Sequence, residues 1–258
     1  MAKRTNANNQ LLSLIPPLSI LGGLIIWELV VKVTAYPAFI LPAPSQIFNR
    51  FIQSIQSGVL LYHTGITLFE IMMGLVIGGL LAFASGYYLA KHPIAESVLF
   101  PYIIASQSIP MAAIAPLLTI WFGSGITPKI LICTLVVFFP IQVNVIAGFR
   151  DIPRNFRDLM RSMRADRKAS LRYLEIPAAM PLIFAGLRIS ATLSVLGAVI
   201  GELTAADAGL GYLINTARGQ YDTAMVFVAV LMLMLIALTL YSLIVFIEHR
   251  MLRWQHIE

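Results

Sequence analysis

The sequence predicts an all-α membrane protein with six transmembrane helices. Three observations carry this. Of 258 residues, 59% are hydrophobic and 12% charged, about half the charged share of an ordinary soluble domain. Apolar runs of at least about 20 residues, the length that crosses a bilayer, recur at 11–33, 62–90, 97–122, 129–149, 180–204 and 223–248. No segment between them is long enough for a soluble domain, so 1–258 reads as one transmembrane unit in a lipid bilayer.

The first run follows a basic, polar start (MAKRTNANNQ). It exceeds the apolar core of a signal peptide and lacks a clean small-residue cleavage site, so it is expected to be a retained span. Between the first two runs, Pro42 and Pro44 precede Ser45, a residue suited to cap a helix N-terminus. Ile47, Phe48, Phe51, Ile52 and Ile55 then recur at helical spacing opposite Gln46, Asn49, Arg50, Gln53 and Gln56. This predicts an interfacial helix over 45–57, either lying in the membrane surface or forming a ledge for an external partner. The third run holds Pro101 and Pro110, both expected to kink or interrupt it. Irregular backbone at membrane depth is tolerated where it lines protein or water, which makes this run a candidate pathway element. Pro140, with Gln142 and Asn144 just after it, gives the fourth run the same character more weakly.

Orientation follows from charge. With the N-terminus cytoplasmic, fourteen of the eighteen Lys and Arg face the cytoplasm. Only Lys32, Arg50, Lys129 and Arg218 face outward. Both termini are then cytoplasmic. The net charge of +6 is this bias of membrane loops rather than a nucleic-acid surface. Cys133, the single cysteine, forms no internal disulfide and reads as a small buried apolar residue.

Eight of the cytoplasmic cations lie in one loop: Arg150, Arg154, Arg157, Arg161, Arg164, Arg167, Lys168 and Arg172. Within the loop segment 150–176, Pro153 suits a helix start. Phe156, Leu159, Met160 and Met163 then fall at i, i+3, i+4 and i+7, with arginines on another face. Such a helix either rests on lipid headgroups or inserts into a groove on a soluble partner; its period alone does not choose.

The residues that follow do. Asp158-Leu159-Met160, three residues, Arg164, nine residues, and Leu174-Glu175-Ile176-Pro177 resemble the cytoplasmic signature of binding-protein-dependent ABC importer permeases: Glu-Ala-Ala, three residues, Gly, nine residues, Ile-x-Leu-Pro. Spacing matches throughout and Pro177 matches outright. Arg164 departs, standing where the family has a turn glycine. Leu41-Pro42-Ala43-Pro44-Ser45, Gln107-Ser108-Ile109-Pro110, Ala115-Pro116-Leu117, Trp121-Phe122-Gly123, Gly209-Leu210-Gly211-Tyr212, and Ile176 to Pro181 with Gly186-Leu187-Arg188 look like the nitrate/sulfonate/taurine-type subfamily.

The resemblance implies a type I importer permease in a bacterial inner membrane. Two copies, expected as a homodimer, would form the pore. A coupling helix between spans four and five, using Phe156, Asp158, Leu159, Met160, Met163, Arg164 and Pro177, would dock on a cytoplasmic ATPase subunit. That partner would bind ATP and Mg, this chain binding no cofactor, and an external solute-binding protein would deliver substrate. No phosphate-binding G-x-x-x-x-G-K-[ST], H-E-x-x-H, C-x-x-C or G-x-S-x-G occurs. His63, His92, His249 and His256 are scattered near span ends and do not form a metal set, so the chain is not expected to be an enzyme.

Polar groups inside spans are costly and mark function or buried pairing. Gln107, flanked by Ser106 and Ser108 beside Pro110, is the first candidate to line the pathway; the alternative is a bond to a neighbouring helix. Gln142 and Asn144 join the list. Glu202 reads as part of an outer gate or as an interfacial acid, and Glu70 as a structural partner or a substrate contact. Arg188 is expected to snorkel or pair near the inner surface. Gly74-x-x-x-Gly78 and Gly197-x-x-x-Gly201 allow close helix packing, either inside the chain or between subunits. With acids and no Lys or Arg expected at mid-depth, and with Gly201-Glu202 looking like the vitamin-precursor group, the solute leans to an aromatic heterocycle (riboflavin or a thiamine pyrimidine precursor). A nitrate, sulfonate, taurine or bicarbonate importer is the alternative, and a channel or secondary transporter a more distant one.

Overall fold

The computed structural model describes residues 3–205 and 207–253; Ala206 and His256 lie outside them. All regular structure among the described residues is helical. The chain divides into two compact units, Met1–Leu61 with Leu213–Val230, and Tyr62–Tyr212 with Leu231–Glu258.

In the first unit, α1 (Lys3–Thr34) carries the first apolar run and α2 (Pro44–Gln56) is the amphipathic helix. The cap of α2 differs from the expectation. Pro44 is already helical, Ala43 is the N-cap, and the Ala43 amide donates to Gln46 Oε1 at 3.0 Å. Ser45 instead ties α2 to α1: its amide and hydroxyl donate to the Glu28 carboxylate at 3.1 and 2.9 Å. Proline at the first helical position loses no hydrogen bond, so the Pro-Ser pair shifts the helix start back one residue. Arg50 pairs with Asp222 at 2.6 Å, and Asp222 Oδ1 accepts from the Met225 amide in the first turn of α11 (Thr223–Met251).

The second unit is built around α6 (Ile126–Arg150), packed between α3 (Val59–Lys91) and α9 (Ile176–Ala205). Lipid offers no hydrophobic drive for helices to associate, so close packing by small residues does that work. Both Gly-x-x-x-Gly pairs serve it inside the chain. A Cβ on Gly74 would overlap Cys133, and one on Gly78 would come within 2.8 Å of Thr134 O. From α9, Gly197 and Gly201 lie on Cys133 Cα (3.1 Å) and Lys129 Cα (3.2 Å). The buried Cys133 thus sits between two glycine faces.

The run 97–122 is two helices rather than one kinked span. α4 (Pro93–Gln107) and α5 (Met111–Phe122) meet at 94°. Pro101 stays inside α4, and the break falls at Pro110, which is extended (ψ 111°) and caps α5. Proline forces its predecessor out of the helical region, so α4 ends before Ile109. Among the described residues, four helical stretches are long and apolar enough to cross a membrane: Val59–Lys91, Ile126–Arg150, Arg167–Thr204 and Thr223–Met251. The bent α4–α5 pair makes a fifth if it is one span.

The segment 150–176 is mostly helical. α7 (Arg154–Ser162) ends in a tight turn, and Asp166 then caps α8 (Arg167–Ser170) through a 2.7 Å bond from the Ala169 amide. A π-turn, Leu171–Glu175, leads straight into α9. The span expected at 180–204 therefore begins earlier, without a loop before it.

Candidate functional site

Two ends of the second unit concentrate its polar chemistry. At the end away from α7, α3 presents His63, Thr67 and Glu70 at i, i+4 and i+7, hence on one face. α6 adds Lys129 in its first turn and α9 adds Glu202 in its last. Glu70, Glu202 and Lys129 are 0%, 1% and 5% exposed. Lys129 Nζ donates to Glu70 Oε1 at 2.9 Å and to Ala208 O at 3.3 Å. The Thr67 hydroxyl donates to Glu202 Oε1 at 2.6 Å and accepts from the Leu210 amide at 2.8 Å. The Gly211 amide donates to Glu202 Oε2 at 2.5 Å, and the Gly209 amide to His63 Nδ1 at 3.0 Å.

The segment 208–211, which starts α10 (Leu210–Gly219), is thus fastened by three helices. Glu202 acts as a remote cap for α10, placing negative charge at a helix N-terminus where it is favoured. The two glycines of Gly209-Leu210-Gly211 make room for it. Gly209 has φ +118°, and a Cβ there would overlap the Glu202 carboxylate. One on Gly211 would lie 2.8 Å from Glu202 Cβ. Gly201 in turn brings α9 close enough to α6 for Glu202 and Lys129 to share the site. Two acids meet one ammonium here, and Glu70 Oε2 is buried without a hydrogen-bond partner.

The other pathway candidates are dispersed. Gln107 is exposed at the end of α4 and lines a groove of about 260 Å³ with Met111, Leu135, Phe139, Pro140 and Leu196. Beside it, the Ser106 hydroxyl is spent on Tyr102 O in its own helix (2.7 Å), and Ser108 is the C-cap of α4. Asn144 donates to Pro140 O at 2.8 Å and packs on Gly186. Gln142 points between helices: buried, it donates to Ser85 Oγ at 2.9 Å.

At the opposite end, Phe156, Leu159 and Met163 of α7 are 48%, 55% and 69% exposed and Met160 is half-buried, so nothing among the described residues covers the stripe. Asp158 pairs with Arg161 at 3.3 Å. The turn after α7 keeps the geometry a glycine would give it. Arg164 adopts φ +51°, its amide bonds to Arg161 O (2.9 Å) and the Ala165 amide to Met160 O (3.0 Å), the paired bonds of a Schellman turn. Ion pairs fasten this end: Lys91 with Glu175, Arg150 with Glu96 at 2.9 Å, and Arg188 with Glu248 at 3.2 Å. Arg157 Nη2 donates to Phe149 O at 2.7 Å. Pro177 directly follows the π-turn inside the helical run from Arg167, where its missing amide proton removes one bond from the helix ladder.

Residues 74–253 match the family model of the binding-protein-dependent transport system inner membrane component. The chain belongs to this family. It is the permease subunit of a binding-protein-dependent ABC importer. Among its relatives, the riboflavin transport system permease protein RibX of Chloroflexus aurantiacus is 42% identical over 239 residues, covering 93% of this chain and 89% of that one. The formylaminopyrimidine transport permease protein ThiX of Halalkalibacterium halodurans is 32% identical over 240 residues, covering 93% and 95%. A solved chain of the MetNI methionine ABC transporter, in an inward-facing conformation, superposes with a TM-score of 0.55 at 23% identity, covering 76% of this permease and 93% of that chain. Both named relatives are permease proteins.

Lys129, Thr67 and His63 are the members of this buried polar cluster that sequence reasoning missed. Lys129 counted only as an outward-facing cation. The available signal was its place just inside an apolar run, together with Thr67 and Glu70 three residues apart on an apolar helix.

Proposed function

We propose that this permease imports a small aromatic heterocycle of the riboflavin or thiamine-pyrimidine type, working as a homodimer on two cytoplasmic ATPase subunits. Substrate would come from an external binding protein, and ATP and Mg would be held by the ATPase. In this reading the architecture is that of a type I importer with six spans, α1 being the first, and both termini are cytoplasmic. α7 is the coupling helix. The observation that carries this is the uncovered Phe156/Leu159/Met160/Met163 stripe on a short basic helix whose flanks are ion-paired to α3 and α4. An apolar stripe of this kind docks in a complementary groove. Because Lys91–Glu175 and Arg150–Glu96 tie the flanks of α7 to neighbouring helix ends, moving α7 moves those helices as a body.

The substrate lean rests on relatives and on charge. The buried Lys129 is occupied by Glu70 and Ala208, leaving no free cation there to attract an anion. The groove under Gln107 offers an amide and an aromatic ring, Phe139, among aliphatic side chains, a lining suited to a neutral ring. The Glu202–Gly211 fastening serves as the outer gate.

The test is co-expression with the cognate ATPase and binding protein, followed by reconstitution into liposomes. Riboflavin or formylaminopyrimidine uptake that needs ATP supports the reading. Failure of the ATPase to co-purify defeats the coupling role. ATP-driven uptake of taurine or nitrate in place of the heterocycles defeats the substrate assignment alone.

A further inference from the structure

Where α6 ends and α7 begins, a second pocket opens beside α4. It measures about 550 Å³ and is lined by Ser97, Phe100, Pro101, Ile152, Arg154 and Arg157, with Glu96 and Arg150 also on its wall. Its composition is divided. Phe100, Pro101 and Ile152 make an apolar floor, and three guanidinium groups meet one carboxylate. Arg150 and Glu96 neutralise each other at 2.9 Å, so Arg154 and Arg157 leave the pocket with two uncompensated positive charges. Arg154 is exposed. Arg157 is pinned by Phe149 O, and its Nε is buried without an acceptor, a condition that is rare and costly for a guanidinium. No acidic residue stands in the first turn of α7.

The pocket lies where an apolar helix of 25 residues gives way to a basic segment, which is the level of lipid headgroups. Along α4 its lining recurs as Pro93, Ser97 and Pro101, and one turn on stands Ile104, 50% exposed. An apolar track therefore leads from the charged mouth toward the membrane interior. We propose that this pocket binds an anionic phospholipid, its headgroup phosphate between Arg154 and Arg157 and an acyl chain along Phe100, Pro101 and Ile104. Basic pockets between helix ends suit acidic headgroups, and a free phosphate would gain nothing from the apolar floor. Arg154 and Arg157 lie about 140° around α7 from the Phe156/Leu159/Met160/Met163 stripe, at 100° per residue. Lipid and a protein partner can thus hold opposite sides of this helix, and the lipid site stands whether or not α7 couples to an ATPase.

Native mass spectrometry of the intact importer, titrated with phosphatidylglycerol or phosphatidylcholine, tests this. Phosphatidylglycerol is expected to be retained in preference, and Arg154→Ala to weaken it by about fivefold, the effect of one basic residue near an acidic headgroup. Ser97→Trp, which fills the pocket and leaves the arginines in place, is expected to abolish retention. Equal retention of the two lipids, or no effect of either variant, overturns the proposal. Displacement of phosphatidylglycerol by inorganic phosphate alone also overturns it. So does a photo-crosslinker at Ser97 that captures the ATPase or a second permease copy instead of lipid.

Discussion

Replacing Lys129 by Met removes the one ammonium from a site with two carboxylates. Lys129 and Glu70 side chains are 7% and 0% exposed and 2.9 Å apart. At that separation the attraction is about 6 kcal/mol for an effective dielectric of about 20, offset by the cost of desolvating the ammonium. Breaking a buried pair while keeping one partner costs about 3–5 kcal/mol. For a chain of this size that lowers the unfolding midpoint by about 6–20 °C. The effect is also local. Lys129 holds Ala208 O, so amide exchange at Gly209, Leu210 and Gly211 should accelerate. Glu70→Met in the same chain leaves no unpaired charge in that pair and should recover most of the loss, since a buried pair exchanged for apolar side chains is often neutral. Thermal unfolding and hydrogen exchange of the purified importer in nanodiscs read both effects. If Lys129→Met shifts the midpoint by less than about 2 °C, or the double variant is no more stable than the single one, the pair does not hold this end together.

Four further outcomes follow from the geometry. Gly209→Ala meets both a left-handed φ of +118° and the Glu202 carboxylate; backbone strain alone costs about 1–3 kcal/mol, and transport should fall with the segment 208–211 unfastened, read by uptake and amide exchange. Arg164→Gly relieves a left-handed non-glycine residue and should stabilise the turn by about 1 kcal/mol, measured as a raised unfolding midpoint. Asp158→Ala, or a charge placed on the stripe by Met160→Glu, should leave membrane insertion intact and uncouple ATP hydrolysis from uptake; unchanged coupling would count against the docking role of α7. Gly74→Ala forces overlap with Cys133 and should cost about 1–3 kcal/mol, whereas Gly22→Ala, with nothing within 4 Å, should be tolerated.

Local chemistry was readable in the sequence where it acts over a few residues. The amphipathic helix appears at Pro44–Gln56 for the expected 45–57, and Pro153 precedes a helix with the expected stripe. Proline effects were harder to place. Of the prolines within the expected spans, Pro101, Pro116, Pro140 and Pro181 sit inside helices, whereas Pro110 separates two. A proline removes the same amide proton everywhere; whether the helix bends or stops depends on what packs beside it, which one chain of letters does not display. The role of Lys129 was hidden for a related reason. Counting charges treats each lysine as solvent-facing, but its partner Glu70 is 59 residues away in the chain and adjacent only after α3 and α6 pack. The glycines of 209–211 read as a family motif, and their reason, the space taken by Glu202, needed the fold.

The helix that begins at Arg167 and runs unbroken to Thr204 spans 38 residues, a rod of about 57 Å at 1.5 Å per residue. Its lower handle is Glu175, gripped by Lys91; its upper tip is Glu202, on which Gly211 hangs. One continuous helical run therefore joins the Lys91 ion pair to the acceptor that keeps α10 seated. The π-turn at Leu171–Glu175 and Pro181 are the two places along this run where a helix bends, so they set how much of a movement at one end reaches the other.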